Sequence, residues 1–246
     1  MPVQIVFSFK QFTIQQDRTA MKVCTDACVL GAYADVTGSE PAGSEPVNRI
    51  LDIGTGTGLL ALMAAQRNAT ALVDAVEMDE AAFGQAQENV AASPFAQRIS
   101  LFRERIQDFS VGDGQYDRIL TNPPFYTNHL RSPDAAVNRA LHTDDLPFEE
   151  LVQAVRQLIR PEGQLWVLLP PYESGRLADL AQKAGLQPVR RLILSHHTRK
   201  PAFRFVTGYS FKTGTCVEET LDIYEVDGRT YTSAFRALLR DFYLIF

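Results

Sequence analysis

LDIGTGTG (51–58) joins the apolar run RILDI (49–53) to GLLALMAAQR (58–67), which is apolar all round. The order reads as strand, glycine-rich turn and helix. Working outward, TALVDAVEM (70–78) reads as a second strand, and DEAAFGQAQENVAAS (79–93) as an amphipathic helix ended by Pro94. ISLFRERI (99–106) and YDRILT (116–121) read as strands, the latter running into NPPF. FEELVQAVRQLI (148–159) is a helix, GQLWVLL (163–169) a strand, and ESGRLADLAQKAG (173–185) a helix closed by Gly185. VRRLILS (189–195) and AFRFVTGYSF (202–211) flank a short polar turn and form a hairpin. This alternation predicts a mostly parallel seven-stranded sheet with helices on both faces, into which the hairpin brings one antiparallel strand. Ligands of such sheets bind beyond the carboxyl ends of the strands.

The remainder of the 246 residues fits one domain, 1–246. Residues 1–35 form a segment flanking the site, in which Thr25 and Asp26 precede ACVLGAYA as a capped short helix. TGSEPAGSEPVN (37–48) reads as a flexible surface loop. The tail TYTSAFRALLRDFYLIF starts as a helix and ends apolar, so it is expected to pack on the body. Three cysteines, Cys24, Cys28 and Cys216, make neither a disulfide framework nor a metal ligand set, and they fit a reducing cytoplasm. No stretch reads as a secretion signal or a membrane helix. A net charge of −5 argues against a protein that coats nucleic acid non-specifically, but the distribution of charge matters more than its sum.

Asp52, Gly54, Gly56 and Gly58 sit at the strand-to-helix turn, where glycine lets a ligand approach the backbone. The spacing is G-x-G-x-G. The dinucleotide fingerprint, G-x-G-x-x-G, would need a glycine where Leu59 stands. Glu77 closes the next strand, and a carboxylate there accepts ribose hydroxyls. Together these residues resemble the S-adenosylmethionine motif of class I methyltransferases. A cofactor without phosphate also needs no P-loop lysine. The resemblance implies a Rossmann-like class I fold.

Asn122-Pro123-Pro124-Phe125 closes the fourth strand. Asn122 offers a side-chain carbonyl, and Pro123 a backbone carbonyl with no N–H of its own. Both accept from one NH2 group. Phe125 offers a stacking face. These groups suit methylation of a conjugated amine, whose delocalised lone pair must be turned out of its plane. The motif resembles the (N/D)PP(Y/F) signature of methyltransferases that act on adenine N6, guanine N2 or glutamine N5. Glutamine enzymes carry a sizeable domain before the first strand, and here only 48 residues precede it.

Between Asp179 and Glu218 there is no acidic residue, whereas Lys183, Arg190, Arg191, Arg199, Lys200, Arg204 and Lys212 are basic. A cationic strip centred on HHTRK (196–200) is a candidate phosphate-contacting surface. Lys10 and Arg18 are further candidates near the N-terminus. Across 9–34, 51–67, 76–99 and the tail, the chain resembles the bacterial tRNA1(Val) (adenine-37-N6)-methyltransferase family. That resemblance implies S-adenosylmethionine-dependent methylation of the adenine beside the anticodon, with the anticodon stem-loop as partner. It also places MKVCTD beside the cofactor's methionine end, making Lys22, Thr25 and Asp26 candidate neighbours, unless they only cap and pack the first helix. Arg105 stands where related enzymes often have the Asp that binds the cofactor's adenine, so that contact is unassigned.

Overall fold

The computed structural model describes residues 5–19, 21–38, 45–110, 115–125 and 146–246. Residues 39–44, half of the expected loop 37–48, lie outside them. A short antiparallel ribbon comes first, β1 (Val6–Ser8) with β2 (Thr13–Gln15), and α1 (Thr25–Tyr33) follows it. The alternation then begins: β3 (Arg49–Ile53), α2 (Leu59–Arg67), β4 (Leu72–Glu77), α3 (Glu80–Ala91), β5 (Ile99–Arg103) and β6 (Tyr116–Thr121). It continues with α4 (Phe148–Leu158), β7 (Ile159–Leu169), α5 (Pro171–Lys183), β8 (Gln187–Ser195), β9 (Ala202–Ser210), β10 (Val217–Asp222) and α6 (Ser233–Leu239).

Among the described residues the main sheet has eight strands, in the order β10-β8-β9-β7-β6-β3-β4-β5. Only β9 runs antiparallel to its neighbours, β7 and β8. The expected seven strands are present, and β10 adds an eighth, parallel to β8 at the edge. VEETLD reads poorly as a strand because Glu218 and Glu219 stand side by side. Cross-strand ion pairs hold them there, Glu218 with Arg191 and Glu219 with Arg190, at 2.9 and 2.8 Å. A charged edge also discourages further strand pairing.

Period-two alternation divides the sheet between two apolar layers. Ile50, Leu120, Trp166 and Leu168 face the layer that holds α1, α2 and α6. Leu51, Ile53, Ile119, Leu165 and Val167 face α4 and α5. α3 begins at an Asp79 cap, whose carboxylate accepts the Ala81 and Ala82 N–H groups. α1 departs from expectation. Cys24 occupies its N-cap with no side-chain cap bond, and the Asp26 carboxylate is engaged by Arg204 instead. The tail docks as expected: Phe242 and Tyr243 are buried, and Lys10 Nζ donates to the Arg240 and Phe246 carbonyls.

Five parallel strands, β3 to β7, end on one edge of the sheet. Ile53, Glu77, Arg103, Thr121 and Leu169 mark that edge. No helix among the described residues is long and apolar enough to cross a membrane.

Candidate active site

The turn after β3 is held from below. Gly54 and Thr55 N–H both donate to the Val76 carbonyl, at 2.9 and 3.1 Å. The Asp52 carboxylate accepts the Thr55 hydroxyl at 2.5 Å and the Ala61 N–H at 3.1 Å, so it ties the turn to α2. Asp52 is fully buried, and burial pushes its carboxyl up to about 7 against the two hydrogen bonds. Asp52 does not line the cavity described below; its part is to brace the turn. Gly54 and Gly56 have φ of +68° and +58°, and an added Cβ at either would meet nothing within 4 Å. The backbone there is bare towards a ligand. Gly58 is also left-handed, but it faces Ala86 and Val90 of α3 and serves packing.

Above the turn lies a cavity of about 490 Å³, within the range of small-molecule sites. Glu77 forms part of its wall. One carboxylate oxygen accepts the Gly56 N–H and the other the Asp79 N–H, both at 2.9 Å. These bonds fix the side chain and leave lone pairs on both oxygens. Burial raises the carboxyl's pKa, and the two N–H groups oppose that shift.

Glu104, Ile106 and Gln107 line the cavity beyond β5, whereas Arg105 between them does not. Sequence reasoning missed Ile106 and Gln107. Their only signal was their place immediately after the unusual Arg105. Gln107 is tied to α4 through Glu150 at 2.7 Å.

Asn122, Pro123 and Pro124 line the opposite wall. The Thr121 hydroxyl donates to the Ile53 carbonyl at 3.0 Å and locks the end of β6 to that of β3. Asn122 Oδ1 is buried yet accepts no hydrogen bond from the described residues. A buried acceptor without a donor is costly and uncommon in folded proteins. Phe125 lies apart from this wall. Its ring is 7% exposed, and the Arg204 guanidinium sits 4.9 Å from its centroid.

The N-terminal segment closes a third side. Arg18, Thr19, Lys22 and Cys24 line the cavity, but Thr25 and Asp26 do not. Lys22 Nζ donates to the carbonyls of Gln16 and Thr19, pinning the loop it belongs to. Thr19 Oγ1, buried and without a partner among the described residues, carries no signal in the sequence. Arg18 pairs with Glu88.

Three of the seven cations in the expected strip are held in ion pairs. Arg190, Arg191 and Arg204 pair with Glu219, Glu218 and Asp26, all outside the acid-free segment. Arg199 and Lys200 stay exposed at the hairpin turn. Among the described residues no group of three or more His, Cys, Asp or Glu is placed to hold a metal ion.

Residues 42–174 match the family model described as the methyltransferase small domain. A protein of Dyadobacter fermentans named tRNA1(Val) (adenine(37)-N6)-methyltransferase is 50% identical over 249 residues, covering all of both chains. One of the same name from Bacteroides fragilis is 40% identical over 243 residues, covering 98% of each. Among solved structures, a predicted O-methyltransferase from Agrobacterium tumefaciens superposes with a TM-score of 0.63 at 17% identity, covering 88% of this chain and 96% of its own. That last likeness concerns the fold alone. The glycine turn, the Glu77 wall and the NPPF edge thus stand in a chain that belongs to the small-domain methyltransferases, and within them to the tRNA1(Val) (adenine(37)-N6)-methyltransferase family.

Proposed function

We propose that the protein methylates N6 of adenine 37 of tRNA1(Val), with S-adenosylmethionine as methyl donor. The observation that carries this reading is the buried, unpartnered Asn122 Oδ1 on the cavity wall. An acceptor held ready in the fold calls for a donor from the substrate. The exocyclic NH2 of adenine has two N–H donors, one for Asn122 Oδ1 and one for the Pro123 carbonyl.

The residues present fit the cofactor. Glu77 would accept its ribose hydroxyls, and the bare backbone at Gly54 and Gly56 would take its close approach. The cofactor supplies an electrophilic methyl group on a sulfonium. Asn122 and Pro123 hold the amine so that its lone pair leaves conjugation and points at that methyl. No base need act first, because the nitrogen's proton becomes acidic once the methyl is attached. Phe125, two residues on from Pro123, is our candidate for the aromatic contact with the base. The adenine must leave the anticodon-loop stack to reach this pocket. Arg199 and Lys200 contact phosphates of the anticodon stem-loop. The setting is the cytoplasm, where thiols such as Cys24, Cys28 and Cys216 stay reduced.

Nucleoside analysis of tRNA from a strain lacking the gene tests this reading. It expects tRNA1(Val) to lose one N6-methyladenosine. An unchanged tRNA profile, with N2-methylguanosine lost from ribosomal RNA, would overturn it.

A further inference from the structure

The hairpin turn 196–201 projects from the same edge of the sheet as the active site. β9 enters beside the carboxyl end of β7, with Leu169 opposite Phe205, and β8 ends with Ser195 opposite Ala202. Across this edge runs a continuous column of flat groups. The His196 ring lies parallel to the Phe203 ring, with centroids 4.2 Å apart and planes within 1°. Arg204 follows, its guanidinium carbon 5.5 Å from the Phe203 centroid and 4.9 Å from that of Phe125. Asp26 fixes this arginine through Nε at 2.8 Å, and its Nη1 donates to the Phe203 carbonyl at 2.9 Å. The column ends at Phe125, two residues after Pro123, which is proposed to hold the target amine with Asn122.

Its other end is open. His196 is exposed, so the ring face turned away from Phe203 meets solvent. Its backbone is nevertheless rigid. The His196 carbonyl accepts the Tyr224 N–H at 2.9 Å, and the neighbouring Ser195 carbonyl accepts the Ile223 N–H at 3.0 Å. Arg199 and Lys200 stand exposed in the same turn, which the Lys200 N–H closes onto the His197 carbonyl at 2.8 Å. A preorganised flat ring beside two free cations matches what an unstacked nucleotide presents, a π-face and a phosphate.

We propose that His196 is a stacking platform for a base flanking the methylated adenine, with Arg199 and Lys200 on the adjoining phosphates. This inference rests on the RNA substrate proposed above. It adds a second grip on the loop, so that the nucleotide next to the target is held while the target leaves the stack.

The test measures affinity of the full-length protein for the anticodon stem-loop by fluorescence anisotropy, which does not depend on turnover. His196→Ala should weaken binding by about five- to tenfold, the lower range for loss of one base–aromatic stack. His196→Phe should bind as the wild type does. His196→Leu keeps the apolar contact with Phe203 but has no π-face, so it should behave like Ala with an unchanged melting temperature. On stem-loops with an abasic residue beside the target, the penalty should vanish for one of the two neighbours. Equal affinity of His196→Ala and wild type would overturn the proposal, as would a penalty that persists on both abasic RNAs. A wild type that binds the stem-loop without methylating any tRNA would instead overturn the catalytic reading and leave this readout intact. A protein that binds no stem-loop would overturn both.

Discussion

Replacing Asn122 by Ala separates catalysis from stability. Two effects act in opposite directions. In the folded protein Asn122 Oδ1 is buried and accepts nothing from the described residues. Leaving such a group unsatisfied costs about 1–3 kcal/mol, and Asn122→Ala removes that cost. Some packing is lost with the half-buried amide, so the net change in stability should stay within about 1 kcal/mol. In the mechanism proposed above, the same oxygen is one of two preorganised acceptors on the reacting amine. Loss of one such group costs roughly 2.7–4 kcal/mol, or about a hundred- to a thousandfold in kcat. The proposed cofactor contacts lie elsewhere, at Glu77 and the glycine turn, so cofactor affinity should be retained. Methyl transfer from labelled S-adenosylmethionine to transcribed tRNA measures turnover, calorimetric titration the cofactor affinity and thermal melting the stability. Normal turnover at saturation with weakened cofactor binding would take Asn122 off the reacting amine. So would a melting temperature lowered by several degrees, which would make Asn122 a structural residue.

Three further predictions follow from the same geometry. Glu77→Ala should weaken S-adenosylmethionine binding by about tenfold or more, since hydrogen bonds to a charged group contribute roughly 1.5–3 kcal/mol, and unchanged affinity in a titration would exclude Glu77 from the ribose site. Arg199→Ala with Lys200→Ala should lower the slope of log affinity for tRNA against log salt by about 1.4, the value for two contacts on single-stranded RNA, and an unchanged slope would take the hairpin turn off the RNA surface. For Asp52 the folded pKa of about 7 lies above its ordinary value of 3.8, so the folded state binds the extra proton. Its contribution favours folding below about pH 4 and is lost as pH rises through about 7. Asp52→Asn should abolish that decline in melting temperature, and parallel curves for wild type and variant would show that Asp52 is not its source.

The architecture could be read from the sequence because two periods are written into it. RILDI alternates between the sheet's two faces, and the strand it predicts, 49–53, matches β3 at both ends. The glycines of LDIGTGTG announced the left-handed turn, and Glu77 and Asn122 both reached the cavity. What escaped were relations between distant residues. A count of charges along the chain gives seven cations without an acid, but Asp26 lies 178 residues from Arg204 and still pairs with it. Glu218 and Glu219, which look unsuited to a strand, find Arg191 and Arg190 across β8. The column from His196 to Phe125 likewise exists only once the hairpin folds back beside the NPPF edge. Local pattern encodes the elements, and the pairing of elements decides which charges remain free.

In the function proposed above, the buried carbonyl at Asn122 receives the amine of one adenine. The most direct measurement incubates the purified protein with total tRNA and isotopically labelled S-adenosylmethionine, then maps the labelled nucleoside. The account predicts a single N6-methyladenosine at position 37 of tRNA1(Val). Label recovered on guanine N2, or on a protein glutamine in an extract, would contradict it.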